Sequence, residues 1–496
     1  MNDVHYYLAL DIGAESGRGI LGRITDTGLA MEEVHRFPNG PITADDGSLR
    51  WDFPAILTNV RTAIREAASR APRLDGIAVD TWGVDYGLLG EGGNLLEPPY
   101  HYRDSRTAGM MDVVFATVPK EEVYRRTGIQ FLELNTLYQL AAAARARSRA
   151  LAEAHSLLLM PDLITYHLCG PRSAEFTIAT TTQCYDPIAR DWARDILARL
   201  GIPTRILPPI VPPATRVGTL TADPPAAIGT PVIAAAGHDT ACAVAALPTE
   251  HEDIAYLSCG TWSLLGVETL KPILTDEAMR ANFTNEGGVE GFRFLKNIAG
   301  LWVIQECRRA WLAETPELDW PTVTAEAEAA PRFATLVDPD DPAFLRPGDM
   351  PSRIAAWCAE HGLPVPTSRG QTARACLEGL ALRYRITLQQ LEQVTGRTVR
   401  TLHIVGGGSR NALLCQFAAD ATGREVIAGP AEGTAAGNIL VQAMATGKLS
   451  SLEEARALLR RSVSPTRYEP RHPEEWDQPF EHFLRLVETQ SARAGG

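Results

Sequence analysis

The sequence predicts an α/β protein built in two similar halves, and three observations carry that prediction. Near the start, "LALDIGAESGRGILGRI" at 8–24 is an apolar run, a glycine-rich turn and a second apolar run. At 254–268, "IAYLSCGTWSLLGVE" repeats the design as strand, Gly-Thr turn, strand. At 397–423 a strand leads through three successive glycines, Gly406, Gly407 and Gly408, into a helix beginning near Asn411. Short apolar runs bounded by turn residues read as buried strands, and hairpins mixed with strand–helix units mark an α/β domain with a mixed sheet. A glycine turn opening each half points to duplicated domains.

Taken in order, the run ending at Asp11 is a strand, and the segment from Gly13 to Gly19 lets the backbone turn tightly and approach a ligand. That stretch alone leaves two readings open, a plain β-hairpin or a phosphate-binding turn. "MEEVHRF" continues as a strand, 54–68 as a helix and "GIAVDTW" as a further buried strand. The proline-rich span at 201–218 excludes regular helix or a central strand and reads as a long connection. "PVIAAAGHDTACAVAAL" is a strand ending near Gly237 and a helix starting near Asp239, with Asp239 or Thr240 as its cap. In the second half, "GLWVIQECRRAWLAE" is helical. So is 372–394, where Leu377, Leu380, Ala381, Tyr384, Leu388 and Leu391 recur at the three-and-four spacing of a core-facing helix.

Composition narrows the function classes. At 496 residues the chain exceeds one ordinary core and suits two or three domains of roughly 100–200 residues each. A net charge of −13 argues against general nucleic-acid or anionic-membrane binding, while a local basic pocket for phosphate remains compatible with it. The first residues lack the order of a secretory signal and no apolar stretch reaches the roughly 18 residues of a membrane span, so the expected location is the cytoplasm. Eight cysteines without a CxxC pair or interleaved histidines signal neither a zinc site nor a disulfide framework.

Three glycine turns spread over both halves suggest a nucleotide, since backbone amides at strand–glycine–helix junctions accommodate phosphates. Neither a Walker A sequence nor a GxGxxG opening a βαβ unit is present. Asp239 in "GHDTA" stands at a helix start, where the positive end of the helix field favours a carboxylate able to accept a proton; the alternative is a simple helix cap. Asp11 and Asp80 each end a strand, where carboxylates commonly meet a phosphate-bound metal ion or accept turn amides. Asp11, beside the glycine turn, is the better magnesium candidate, acting through water because magnesium sheds its waters reluctantly. "DTWGVDYGLL", with aromatics, glycines and two carboxylates, suits a sugar, or a structural tryptophan in a core. "YRDSRT" either binds hydroxyls or forms salt bridges. His238 either meets the substrate or is a core histidine, with no metal-ligand spacing around it.

These residues carry a resemblance. "DIGAESGR", "DTWGVD", "YRDSRT", "GIQFLELNTLYQL", "LLMPDLITYHLCG", "GHDTACAV", "LSCGTWSLLG", "NFTNEGG", "LKNIAGLW" and "LHIVGGGSRN", in this order, resemble the FGGY carbohydrate kinases. "TWGVD", "GIQF" and "TNEGG" resemble the branch that phosphorylates L-rhamnulose. The resemblance implies two actin-like, ribonuclease-H-like domains, at 1–246 for sugar and phosphate and 247–496 for the nucleotide, with ATP and ketose in the cleft between them. It implies a phosphate-binding hairpin at Ala14, Glu15, Ser16, Gly17 and Arg18, with magnesium at Asp11. It implies further nucleotide contacts at Thr261, Gln305 and Gly407, sugar contacts at His238, Asp239 and Thr240, and sugar- or ATP-cleft positions at Gly83 and Asn297, and it makes Asp239 the general base. Glu15 departs from the family pattern, which commonly has a small hydroxyl residue there. The expected product is the 1-phosphate, made by a monomer or small homo-oligomer. Same-fold rivals are kinases of fuculose or xylulose type. A silent nucleotide or sugar sensor is a rival of another class, and a metal hydrolase built on His238 and Asp239 lacks further ligands.

Overall fold

The computed structural model describes residues 4–221, 224–251 and 253–494. Packing divides the chain into two units, Met1–Thr249 with Glu268–Phe294 and Gly433–Val463, and Glu250–Val267 with Leu295–Glu432 and Ser464–Gly496. The first unit thus draws 268–294 and 433–463 from beyond position 246, while the second lies wholly after it.

The first unit is organised by a six-stranded sheet in the order Thr215–Thr219, Pro231–Ala234, Gly76–Thr81, His5–Ile12, Ser16–Thr25, Gly28–Pro38. The last three strands form an antiparallel meander, and Gly76–Thr81 runs parallel both to His5–Ile12 and to Pro231–Ala234. Side chains alternate across a strand. On His5–Ile12 this sends Leu8, Leu10 and Ile12 into one core and Tyr7 and Ala9 into the other. The first core is closed by helix Phe53–Arg70, whose Asp52 cap accepts the Ala55 N–H and whose Ile56, Val60, Ala63, Ile64 and Ala67 recur at helical spacing. The opposite face is covered by helix Gly433–Ala445, through Ala435, Ala436, Ile439, Leu440 and Ala443. Filling that face is the physical reason 433–463 belongs to the first unit.

The same alternation puts Asp11 and Asp80 on the face of Gly433–Ala445, since Ala9 and Ala78 point there. The expected strand–helix break after Pro231–Ala234 is present, with helix Asp239–Ala245 following. Part of the proline-rich connection differs from expectation. Thr215–Thr219, free of proline, pairs antiparallel with Pro231–Ala234 as an edge strand, the sheet position where neighbouring prolines are tolerated.

In the second unit, Ile254–Cys259 pairs antiparallel with Trp262–Thr269 and parallel with Thr401–Val405, which is followed in the sheet by Glu425–Ala428 and Thr466–Tyr468. This hairpin, two parallel neighbours and an antiparallel edge repeat the order seen in the first unit, as the duplicated glycine turns predict. Arg369–Thr395 is one helix, capped by Ser368, and buries Leu377, Leu380, Tyr384, Leu388 and Leu391. All eight cysteines are free and seven of them are buried. No helix among the described residues is long and apolar enough to cross a membrane.

Candidate active site

The opening hairpin is both a hairpin and a tight turn. His5–Ile12 and Ser16–Thr25 pair from His5↔Ile24 to Ile12↔Gly17, so only Gly13, Ala14 and Glu15 form the connection. Gly13 N–H donates to the Ser16 carbonyl at 3.0 Å, and Asn39 donates from its backbone to the Glu15 carbonyl and from Nδ2 to the Gly13 carbonyl. Gly17 is required: a Cβ there would lie 2.1 Å from the Phe37 ring. The Glu15 side chain is exposed. Arg18 turns back along the hairpin, and its Nη2 donates to Asp11 Oδ2 at 2.5 Å.

Asp11 lies directly across the parallel register from Asp80. Burial, then the charge of Asp11, pushes the Asp80 carboxyl well above the usual carboxylate range, while the Asn438 amide opposes the shift. Asn438 Nδ2 donates to Asp80 Oδ2 at 2.6 Å, and Gln442, one helical turn on, donates to the Leu8 carbonyl at 3.0 Å. Asp80 Oδ1 is buried without a hydrogen-bond partner among the described residues. Two neighbouring carboxylates with an unsatisfied oxygen, and the charge of Asp239 also felt by Asp80, are a donor set that suits a hard divalent cation such as magnesium.

Asp239 is the first residue of its helix, and His238, in extended conformation, occupies the cap position. Neither Asp239 nor Thr240 is the cap that the sequence suggested. Instead Asp239 Oδ1 accepts the Thr240 N–H at 2.6 Å and lies 3.2 Å from Thr240 Oγ1 and 3.3 Å from His238 Nε2. The side chain is 31% exposed, so a solute can reach it. The loop before it is pinned from two sides. Thr81 N–H donates to the Gly237 carbonyl, and Glu175 Oε2 accepts the Gly237 N–H at 2.7 Å together with the N–H groups of Thr177 and Ile178. Behind His238 lie two buried charges, Arg293 and Glu286.

The "TWGVD" turn is strained at Val84, a β-branched residue held at φ 69°. It is held by hydrogen bonds, Val84 N–H donating to Thr181 Oγ1 and the Val84 carbonyl accepting from Thr136 Oγ1, and Asp85 follows as a hub. Asp85 Oδ2 accepts the indole N–H of Trp51 at 2.7 Å and of Trp82 at 3.0 Å, and Oδ1 accepts from Gln139 at 3.0 Å. The tryptophans therefore build the turn, and Gly83 lies partly exposed upon it with Thr181 at 3.1 Å from a built Cβ. In "YRDSRT", Asp104 accepts the backbone N–H groups of Leu49 and Arg106, and Arg106 stacks on Tyr100, so this segment is a brace.

Burial raises the Asp85 carboxyl from 3.8 to about 6. A folded-state value above the unfolded one means that its stabilising contribution is complete below about pH 4 and lost as pH rises through about 6. Relative to Asp85→Asn, the wild-type unfolding free energy should fall by up to about 3 kcal/mol between pH 4 and 7. Urea unfolding of both proteins at each pH measures this, and a pH-independent difference would contradict it.

In the second unit, Thr261 and Gly407 follow the carboxyl ends of the neighbouring parallel strands Ile254–Cys259 and Thr401–Val405, a common place for nucleotides in α/β sheets. The Thr261 carbonyl accepts the N–H groups of Gly300 and Trp302, so the turn at Gly260 and Thr261 holds the start of helix Trp302–Trp311, one turn before Gln305. Gln305 Oε1 is buried with no hydrogen-bond partner among the described residues. Gly408 lies against Cys259, at 2.2 Å from its Sγ for a built Cβ, while Gly407 meets nothing within 4 Å. Gly406 takes φ 81°, which lets the chain leave the strand there. Asn297 stands partly buried on strand Phe292–Ala299 in this unit.

Sequence reasoning missed Arg293, Glu286, Glu175 and Asn438. Asn438 is 358 positions from the Asp80 it contacts, and no local pattern announces it.

Comparison with known proteins agrees in both halves. The model of the N-terminal domain of the FGGY family of carbohydrate kinases matches residues 6–246, and that of the C-terminal domain matches 255–446. A rhamnulokinase of Bacteroides thetaiotaomicron is 42% identical over 97% of this chain and 99% of its own. One from Pectobacterium carotovorum subsp. carotovorum is 40% identical over 98% of each. Among solved structures, a xylulose kinase from Lactobacillus acidophilus covers 99% of both chains with a TM-score of 0.80 at 16% identity. Plasmodium falciparum glycerol kinase with ADP covers 98% of both with 0.77 at 15%. At such identities these two speak for the fold alone.

Proposed function

The chain belongs to the FGGY family of carbohydrate kinases, and from that premise we propose that it transfers the γ-phosphoryl group of ATP to the 1-hydroxyl of L-rhamnulose. The observation that carries the chemistry is Asp239: an accessible carboxylate whose Oδ1 accepts from the N–H and Oγ1 of Thr240 and lies 3.3 Å from His238 Nε2, with no hydrogen bond among the described residues on Oδ2. Oδ2 takes the proton of the sugar hydroxyl as its oxygen bonds to the γ-phosphorus, the bond from that phosphorus to the β–γ bridging oxygen breaks, and ADP leaves. Phosphoryl transfer has a loose transition state, so alignment and charge stabilisation supply most of the acceleration and the proton moves late.

His238, Thr240, Gly83 and Asn297 are assigned to the sugar. The amides of Ala14, Glu15, Ser16 and Gly17 with the Arg18 guanidinium are assigned to the phosphates, and Thr261, Gln305 and Gly407 to the nucleotide. Magnesium would be held through water by Asp11, and when bound it neutralises phosphate charge. Arg18, paired with Asp11 in this structure, would exchange that carboxylate for a phosphate in this reading. The substrates are small and water-soluble, and we place the reaction in the cytoplasm.

The product tests this reading. Incubation with ATP, magnesium and L-rhamnulose should give a phosphorus resonance coupled to the two protons of C1, and excess EDTA should reduce turnover to background. Phosphate on another carbon would overturn the regiochemistry, and EDTA-resistant turnover would remove the metal.

A further inference from the structure

Arg293 is fully buried, an unusual place for a guanidinium, and its partners explain what it does. Nε donates to the Gly287 carbonyl at 2.8 Å, and Nη2 lies 3.2 Å from Glu286 Oε2 and 2.9 Å from His238 Nδ1. Glu286 balances the charge, and Glu286 Oε2 is itself 3.3 Å from His238 Nδ1. The His238 backbone is fixed as well, its N–H donating to Thr177 Oγ1 at 3.1 Å.

A guanidinium has donors and no acceptor. A proton on His238 Nδ1 would therefore point at an N–H only 2.9 Å away, whereas a bare Nδ1 accepts from it. A proton on Nδ1 could reach only Glu286 Oε2 at 3.3 Å, a longer contact than the 2.9 Å guanidinium one, so the geometry favours the neutral imidazole with its proton on Nε2, which lies 3.3 Å from Asp239 Oδ1. We propose that Arg293, charge-balanced by Glu286, is a positioning residue for the phosphoryl transfer: it fixes the His238 tautomer that donates to Asp239 Oδ1 and thereby turns Oδ2 toward the sugar hydroxyl. This rests on the kinase reading above for its catalytic consequence and on geometry alone for the tautomer. Sequence offered no sign of it, since Arg293 falls between "NFTNEGG" and "LKNIAGLW" and within neither.

The test reads tautomer and turnover separately. In protein labelled with 15N at histidine, with His238 assigned by the signal lost in His238→Gln, long-range proton–nitrogen correlations should show Nδ1 unprotonated and Nε2 protonated. The double variant Arg293→Met/Glu286→Gln removes both buried charges together and avoids leaving one of them alone. It should lose that fixed pattern and lower kcat by about 10- to 100-fold, with KM for ATP and for sugar changed by less than about threefold. A wild-type protein with the proton on Nδ1, or a double variant that keeps both tautomer and kcat, would overturn the proposal. If the double variant does not fold, the wild-type tautomer decides. Should the wild-type protein phosphorylate no ketose, the kinase reading falls while the nitrogen signals still decide the part played by Arg293.

Discussion

Asp239→Asn is expected to lower turnover by about 100- to 10,000-fold, the usual worth of a positioned general base, with ATP affinity unchanged. Asparagine has nearly the same shape and keeps an oxygen for the Thr240 N–H and the His238 Nε2 contact, so the helix start should survive. Its amide nitrogen has no lone pair for a proton, so the hydroxyl must deprotonate without help. ATP affinity, measured calorimetrically, should not move, because the assigned nucleotide contacts lie on other residues. Near-wild-type turnover in a folded variant would remove Asp239 as the base. The substitution also removes a negative charge that Asp80 feels, so the circular dichroism of the variant must be checked before its rate is interpreted.

Gly437→Ala is the second large effect, and it acts on stability. Helix Gly433–Ala445 crosses helix Asp239–Ala245 so closely that a Cβ at 437 would lie 1.8 Å from the Cys242 carbonyl oxygen and 2.5 Å from its carbon. Those are backbone atoms with no rotamer to yield. Alanine would gain about 1 kcal/mol of helix propensity over glycine, but overpacking against rigid backbone costs about 3 kcal/mol, so the clash wins. The unfolding midpoint should fall by about 2–4 °C by calorimetry. Gly407→Ala, where a Cβ meets nothing within 4 Å, should leave it in place. An unchanged midpoint in Gly437→Ala would show that the two helices can separate at no cost. The displaced element carries Asp239, so turnover should fall with stability.

The hairpins, the helix Phe53–Arg70 and the strand–glycine–helix junction were legible because each is encoded locally, by apolar runs and turn residues. Asp11, Asp80 and Asp239 stood out because each ends a strand or opens a helix. What the sequence could not reveal depends on distant pairing. Asn438 satisfies Asp80 from a helix near the far end of the chain, and Glu175 ties down the loop before His238. The cap at Asp239 was misassigned because both Asp and Thr favour such positions, whereas the pairing of Thr81 with Gly237 holds His238 extended and starts the helix one residue earlier than an Asp239 cap would. "YRDSRT" alone leaves hydroxyl binding and salt bridges both open because its partners, Leu49 and Tyr100, are supplied by other segments.

The central claim is a specific sugar kinase, and its most direct test is ADP release by the purified protein with magnesium ATP. L-rhamnulose should be compared at matched concentration with L-fuculose, D-xylulose, L-ribulose and glycerol. The account predicts that L-rhamnulose is strongly preferred; sugar-independent ADP, or faster release with one of the other acceptors, would contradict it.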